Sequence, residues 1–187
     1  MNLPNKLTVS RLWLAAAFVL CFVVDFPGRF SVALLVFLAA TLTDYLDGVL
    51  ARKQGLITDF GKLMDPLADK ILTASAFISR CAIGKFPAWA VSVSVSREFL
   101  ITGLRSLAAS KGIVIPADRL GKHKTAWQMI AIIFFLLLLA VGEWSSAGWI
   151  QIAWAYGRPG LIAVTVILTV YSGIAYLWKN RALIVTD

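Results

Sequence analysis

Asp44-Tyr45-Leu46-Asp47-Gly48-Val49-Leu50-Ala51-Arg52 and, shortly after, Gly61-Lys62-Leu63-Met64-Asp65-Pro66-Leu67-Ala68-Asp69 place four carboxylates inside a chain otherwise composed for lipid. Ionisable groups at membrane depth are costly, and they persist where they pair, line a water-filled cavity or bind ions. Asp44 and Asp47 are three residues apart and Asp65 and Asp69 four apart, so on helices each pair projects from one face. Two such faces brought together make an oxygen-rich cage. With no Cys or His nearby, the donor set favours a hard ion such as Mg²⁺ or Mn²⁺ over zinc. Gly48, Ala51 and Gly61 leave room for a ligand to approach the backbone, and Arg52 adds a fixed cationic fork suited to phosphate oxygens.

The surrounding composition is that of a membrane protein. The chain has 187 residues, 59% of them hydrophobic, and a mean hydropathy of +0.81, which is too apolar for a soluble domain and long enough for about six spans. Residues 125–142 and 159–178 carry no charge and are each about the length that crosses hydrocarbon. Four further apolar segments, 12–24, 30–52, 62–79 and 86–109, are shorter or interrupted by charge. The expected architecture is an all-α integral membrane protein, one domain over 1–187, with six transmembrane helices. A short N-terminal interfacial helix over residues 1–10 is expected to precede them.

Lys and Arg fix the expected orientation. Lys6, Arg11, Arg52, Lys53, Lys62, Lys70, Arg105, Lys111, Arg119, Lys122, Lys124, Lys179 and Arg181 fall on one side, against Arg29, Arg80, Lys85 and Arg158 on the other. The richer side is read as cytoplasmic, which puts both termini and the acidic cluster there, in the inner (cytoplasmic) membrane. Trp13, Trp127 and Trp178 mark that interface, and Trp89, Trp144, Trp149 and Trp154 the opposite one. The net charge of +8 is spread among short loops. It fits anionic lipid and gives no reason to expect nucleic acid. Cys21 and Cys81 are expected to pack as small residues and not to bridge. Residues 25–28 and 142–148 read as turns.

Asp44, Asp47, Gly48, Ala51, Arg52, Gly61, Asp65 and Asp69 match, at every spacing, the signature D-x2-D-G-x2-A-R-x8-G-x3-D-x3-D. On these residues the chain resembles the CDP-alcohol phosphotransferases. The resemblance implies two divalent cations, Mg²⁺ or Mn²⁺, held by Asp44, Asp47, Asp65 and Asp69. It also implies a CDP-linked lipid bordered by Asp47, Gly48, Ala51, Arg52 and Gly61, Asp69 as general base, and a homodimer.

A second constellation, Arg97-Glu98 with Arg105 and then Gly121-Lys122-His123-Lys124-Thr125 and Gln128, resembles the segments that mark the branch of the family making phosphatidylglycerol phosphate. It implies CDP-diacylglycerol as donor and glycerol 3-phosphate as acceptor. Independently of the resemblance, Arg105, Lys122 and Lys124 sit at the expected cytoplasmic ends of the fourth and fifth spans, where they can converge on an anionic head group. Arg97 and Glu98 lie deeper and read as a structural pair, and His123 as a bystander. The competing readings are a different acceptor (inositol phosphate, serine or phosphatidylglycerol), an intramembrane prenyltransferase, and a cation transporter. Arg52 and the glycines favour phosphate chemistry over the last two.

Overall fold

The computed structural model describes residues 3–54, 59–113, 115 and 119–181, with the side chains of 3–8, 46–54, 59–66 and 119 outside the description. Every regular element among them is helical: α1 (Leu3–Val23), α2 (Arg29–Gln54), α3 (Asp59–Ala82), α4 (Ala88–Ser110), α5 (Arg119–Trp144), α6 (Gly148–Ile152), a π-helical turn (Ala153–Gly157) and α7 (Arg158–Lys179). α6, the π turn and α7 run on without a break. The described residues thus form six long helical segments.

Two of these, over Leu120–Trp144 and Gly148–Lys179, are long and apolar enough to cross a membrane, with mean hydropathies of 2.2 and 2.0. The others carry the charges noted above. One expectation is corrected. Residues 3–10 do not form a separate helix but the first turns of α1. Pro4 lies in the first turn, where its missing N–H costs nothing, and no glycine or proline follows to break the helix before Val23.

The chain turns sharply where glycine permits. Gly28, Gly84 and Gly112 are the described residues with positive φ, at 80°, 70° and 75°. After α3 the Gly84 N–H reaches the Cys81 carbonyl and the Lys85 N–H the Arg80 carbonyl; after α4 the Gly112 N–H reaches Ala109 and the Ile113 N–H reaches Ala108. Both are Schellman caps, which satisfy the last carbonyls of a helix with a left-handed glycine. At the start of α2 the cap comes from a distant helix end. Glu143 accepts the N–H groups of Phe30 and Ser31 at 3.0 and 3.1 Å, a carboxylate placed at the positive end of the helix dipole.

The helices close into a ring in which α1 packs on α2, α2 on α5, α5 on α7, α7 on α4, α4 on α3, and α3 again on α1. Alanines at 15, 33, 40, 76, 90 and 131 let backbones approach, and Phe18, Phe37, Phe77, Phe86 and Phe135 fill the space between them. The outer surface is apolar as well, and polar side chains sit inside beside the apolar core. Arg11, Arg80, Ser94, Lys124, Gln128, Thr165, Thr169 and Ser172 are buried, while Trp13, Leu35, Leu42, Trp89, Ile167, Ile174 and Trp178 are exposed. Apolar residues facing out and polar residues facing in is the arrangement a bilayer rewards. Both cysteines are free, with Cys21 buried.

Candidate active site

A cavity of about 500 Å³ opens between α3, α4, α5 and α7. Two helices present the same register to it. Glu98, Ile101, Thr102 and Arg105 line it from α4, and Lys122, Thr125, Ala126 and Met129 from α5. Each set follows the 0, 3, 4, 7 spacing of a single helical face. Asp69 and Lys70 close it from α3, and Tyr176 from α7. Arg97 and Gly121 complete the lining.

Of the acids predicted to form the cage, the side chains of Asp44 and Asp69 are described. Asp44 is half exposed and pairs with the buried guanidinium of Arg11, which ties α2 to α1. Asp69 stands in the cavity wall. Its carboxylate makes no hydrogen bond or ion pair among the described residues, and Arg11, Asp44, Lys70 and Lys124 all lie within electrostatic reach of it. A partly buried carboxylate with no hydrogen-bonded partner is suited to an incoming proton or cation. Asp47, Gly48, Ala51 and Arg52 lie on α2 and Gly61 and Asp65 on α3, but their side chains fall outside the described residues.

The basic residues divide. Arg105 and Lys122 line the cavity, together with Lys70 and Arg97. Lys124 does not. It is fully buried behind the wall and ion-paired with Glu98. Because Glu98 is engaged by Lys124, four cations face the cavity against one uncommitted carboxylate, Asp69. That excess matches a phosphorylated, doubly anionic ligand.

A network behind the wall fixes these groups. The Lys70 ammonium donates to Thr102 Oγ1, and Thr102 donates in turn to the Glu98 carbonyl at 2.7 Å. The Arg97 guanidinium donates to Ser172 Oγ on α7 at 3.1 Å and lies 3.8 Å from Glu98. The sequence reads Arg97 and Glu98 as a structural pair, which the structure shows, but gives no sign that both also line the cavity, and it counts Lys70 and Arg11 only toward orientation. The signal available for α4 was its register, since Glu98 and Arg105 are two turns apart on one face. Nothing local indicated that Arg11 meets Asp44. His123 is exposed and does not line the cavity.

A family model described as CDP-alcohol phosphatidyltransferase matches residues 1–171. A Bacillus subtilis protein named CDP-diacylglycerol--glycerol-3-phosphate 3-phosphatidyltransferase is 39% identical, over 96% of this chain and 95% of its own. A Mycoplasma pneumoniae protein of the same name is 36% identical, covering 82% of this chain and 77% of its own. A Mycobacterium tuberculosis protein named probable phosphatidylglycerophosphate synthase is 37% identical, covering 94% and 80%.

Proposed function

Because the chain belongs to the CDP-alcohol phosphatidyltransferase family, we propose that it transfers the phosphatidyl group from CDP-diacylglycerol to sn-glycerol 3-phosphate, releasing phosphatidylglycerol phosphate and CMP. The names of relatives that align with nearly the whole chain support this donor and acceptor. The observation that carries the reading is one cavity in which Asp69 faces Arg105 and Lys122. An acid able to take a proton and cations able to hold a phosphate are thereby set on one acceptor molecule.

The acceptor enters with its phosphate against Arg105 and Lys122, which leaves its primary hydroxyl toward Asp69. Asp69 takes the hydroxyl proton as the oxygen attacks the phosphorus that bears the diacylglycerol. The bond from that phosphorus to the bridging oxygen breaks, and the electron pair leaves with CMP. Lys124, behind the wall, pairs with Glu98 and offsets the negative charge that Glu98 presents to the incoming phosphate. On the donor side, Asp47, Gly48, Ala51 and Gly61 border the nucleotide and Arg52 holds its phosphates.

Carboxylates alone suit hard divalent cations; of the two whose side chains are described, Asp69 is free of hydrogen bonds among the described residues and Asp44 pairs with Arg11. Asp44, Asp47, Asp65 and Asp69 are the residues that would hold them. Mg²⁺ or Mn²⁺ bound there would supply charge neutralisation for the diphosphate and polarisation of the bond to the leaving group.

The same reading places the six helices across the cytoplasmic membrane with both termini and the cavity at the cytoplasmic face. The acyl chains of the donor then stay in the bilayer during transfer. A homodimer accompanies this reading through the family resemblance. The test supplies purified protein with CDP-diacylglycerol and, in turn, glycerol 3-phosphate, inositol phosphate, serine and phosphatidylglycerol, with Mg²⁺ or Mn²⁺ and then with chelator. Turnover with glycerol 3-phosphate that stops on chelation and returns with added metal is expected. Turnover with a different alcohol alone overturns the choice of acceptor.

A further inference from the structure

At the end of the bundle away from the catalytic cavity, two clefts of about 460 and 620 Å³ adjoin through Lys85, Arg158 and Pro159. Together they form a groove between the α3–α4 turn and the segment 151–163. Arg158 opens α7 while Tyr176, in the catalytic cavity, lies near its other end. Eighteen residues of helix separate the two, roughly 27 Å at the usual rise.

Two kinds of chemistry meet in this groove. Trp89, Ile162 and Ala163 give it an apolar trough. Lys85 and Arg158 give it two cations, and neither meets a carboxylate among the described residues. The acids at this end are already committed, Asp25 to Arg29 at 2.9 Å and Glu143 to the start of α2. A further cation, Arg80, is wholly buried beneath the turn with one guanidinium nitrogen lacking a hydrogen-bond partner.

Lys85 is held in place by aromatic rings. The Lys85 ammonium lies 5.0 Å from the Trp154 ring centroid, Trp154 stacks on Phe135 at 5.7 Å, and Phe135 faces the Arg80 guanidinium at 5.7 Å. Trp154 belongs to the π-helical turn, a distortion that recurs at functional positions. The turn closes on Gly157, where a Cβ would stand 2.7 Å from the Phe134 ring.

We propose that this groove binds one anionic phospholipid, its phosphate between Lys85 and Arg158 and an acyl chain along Trp89 and Ile162. A free phosphate ion would leave the trough unused, and a zwitterionic lipid would bring its own cation toward the two already present. The lipid would brace the α3–α4 turn against the π turn. The site is independent of the transfer reaction and of the acceptor assigned to it.

The test is native mass spectrometry of the purified protein in neutral detergent, titrated with phosphatidylglycerol and separately with phosphatidylcholine. The wild type is expected to retain one phosphatidylglycerol in preference to phosphatidylcholine. The double variant Lys85→Gln/Arg158→Gln is expected to bind phosphatidylglycerol about tenfold more weakly. Its turnover at saturating substrate should be unchanged, which shows that it folds. Three outcomes overturn the proposal: equal retention of both lipids, an adduct unaffected by the double variant but lost in Arg105→Ala, or a shift in the dimer fraction of the double variant with lipid binding intact. The last would mean that a second copy of the chain occupies the groove. Because turnover is read on the same sample, failure of the lipid site is distinguishable from failure of the enzymatic reading.

Discussion

Arg97 crosses α7 at Gly173, where an added Cβ would stand 3.1 Å from the arginine Cγ. The absence of a side chain at 173 is what lets Arg97 run along α7 and donate to Ser172 at 3.1 Å while its guanidinium lines the cavity. The last helix thus takes part in the site by shaping a neighbour.

Gly173→Ala is therefore expected to displace Arg97 into a poorer rotamer, at a cost of about 0.5–1.5 kcal/mol. The readout is a rise of about twofold to tenfold in the KM for glycerol 3-phosphate, with kcat and the donor KM near wild type. Ser172→Ala should produce a smaller change of the same kind, and Ser172→Thr, which keeps the hydroxyl, should restore it. Equal loss of kcat for donor and acceptor in Gly173→Ala would show a general packing defect.

Arg105 offers a cleaner separation, since it reaches the cavity from the same α4 face as Glu98 without pairing to it. A charge-assisted hydrogen bond to phosphate contributes about 1.5–3 kcal/mol. Arg105→Ala should accordingly raise the acceptor KM by about tenfold to a hundredfold while leaving the donor KM within about twofold. Steady-state kinetics with each substrate varied in turn decide the matter. A selective donor defect would assign Arg105 to the nucleotide.

Much of this architecture was legible in the chain, and the reasons differ by element. The acidic signature can be read because its spacing is local, and the two uncharged spans can be read because lipid imposes length and composition directly. The turn at residues 25–28 was visible from its proline and glycine. The network behind the cavity was not. Lys124 meets Glu98, Arg11 meets Asp44 and Glu143 caps α2 only through the order in which the helices close the ring. The π turn at Ala153–Gly157 is equally invisible in composition, and its Gly157 lies against the ring of Phe134 on another helix. Residues 3–10, expected along the interface, extend α1 because nothing in the sequence interrupts it.

The pairing of Lys124 with Glu98 makes a stability prediction. Lys124 is fully buried and Glu98 keeps a quarter of its side-chain surface. Removing one partner of a buried pair typically costs about 3–5 kcal/mol, and the remaining exposure of Glu98 puts this case near the lower end. Glu98→Gln should lower the unfolding midpoint in detergent markedly, because it strands a buried ammonium. The double variant Glu98→Leu/Lys124→Met should recover most of that loss, since apolar replacement of both members removes the charge that must be desolvated. A double variant no more stable than the single one would show that the pair holds α4 to α5 through more than its charges.

Asp69 carries the sharpest expectation, because the carboxylate in the cavity wall is free of hydrogen bonds among the described residues while Lys70 and Arg97, which share that wall, are tethered to Thr102 and Ser172. Asp69→Asn keeps the shape and removes the proton acceptor. General-base assistance contributes about a hundredfold to ten-thousandfold, so kcat should fall by at least about a hundredfold. Binding of CDP-diacylglycerol in the presence of metal should persist, because Asp44, Asp47 and Asp65 remain as ligands in the proposed cage. Equilibrium binding of the donor measured beside single-turnover transfer separates the two effects. Transfer at the wild-type rate would remove Asp69 from the proton step, and loss of donor binding with loss of transfer would place its main role at the metal.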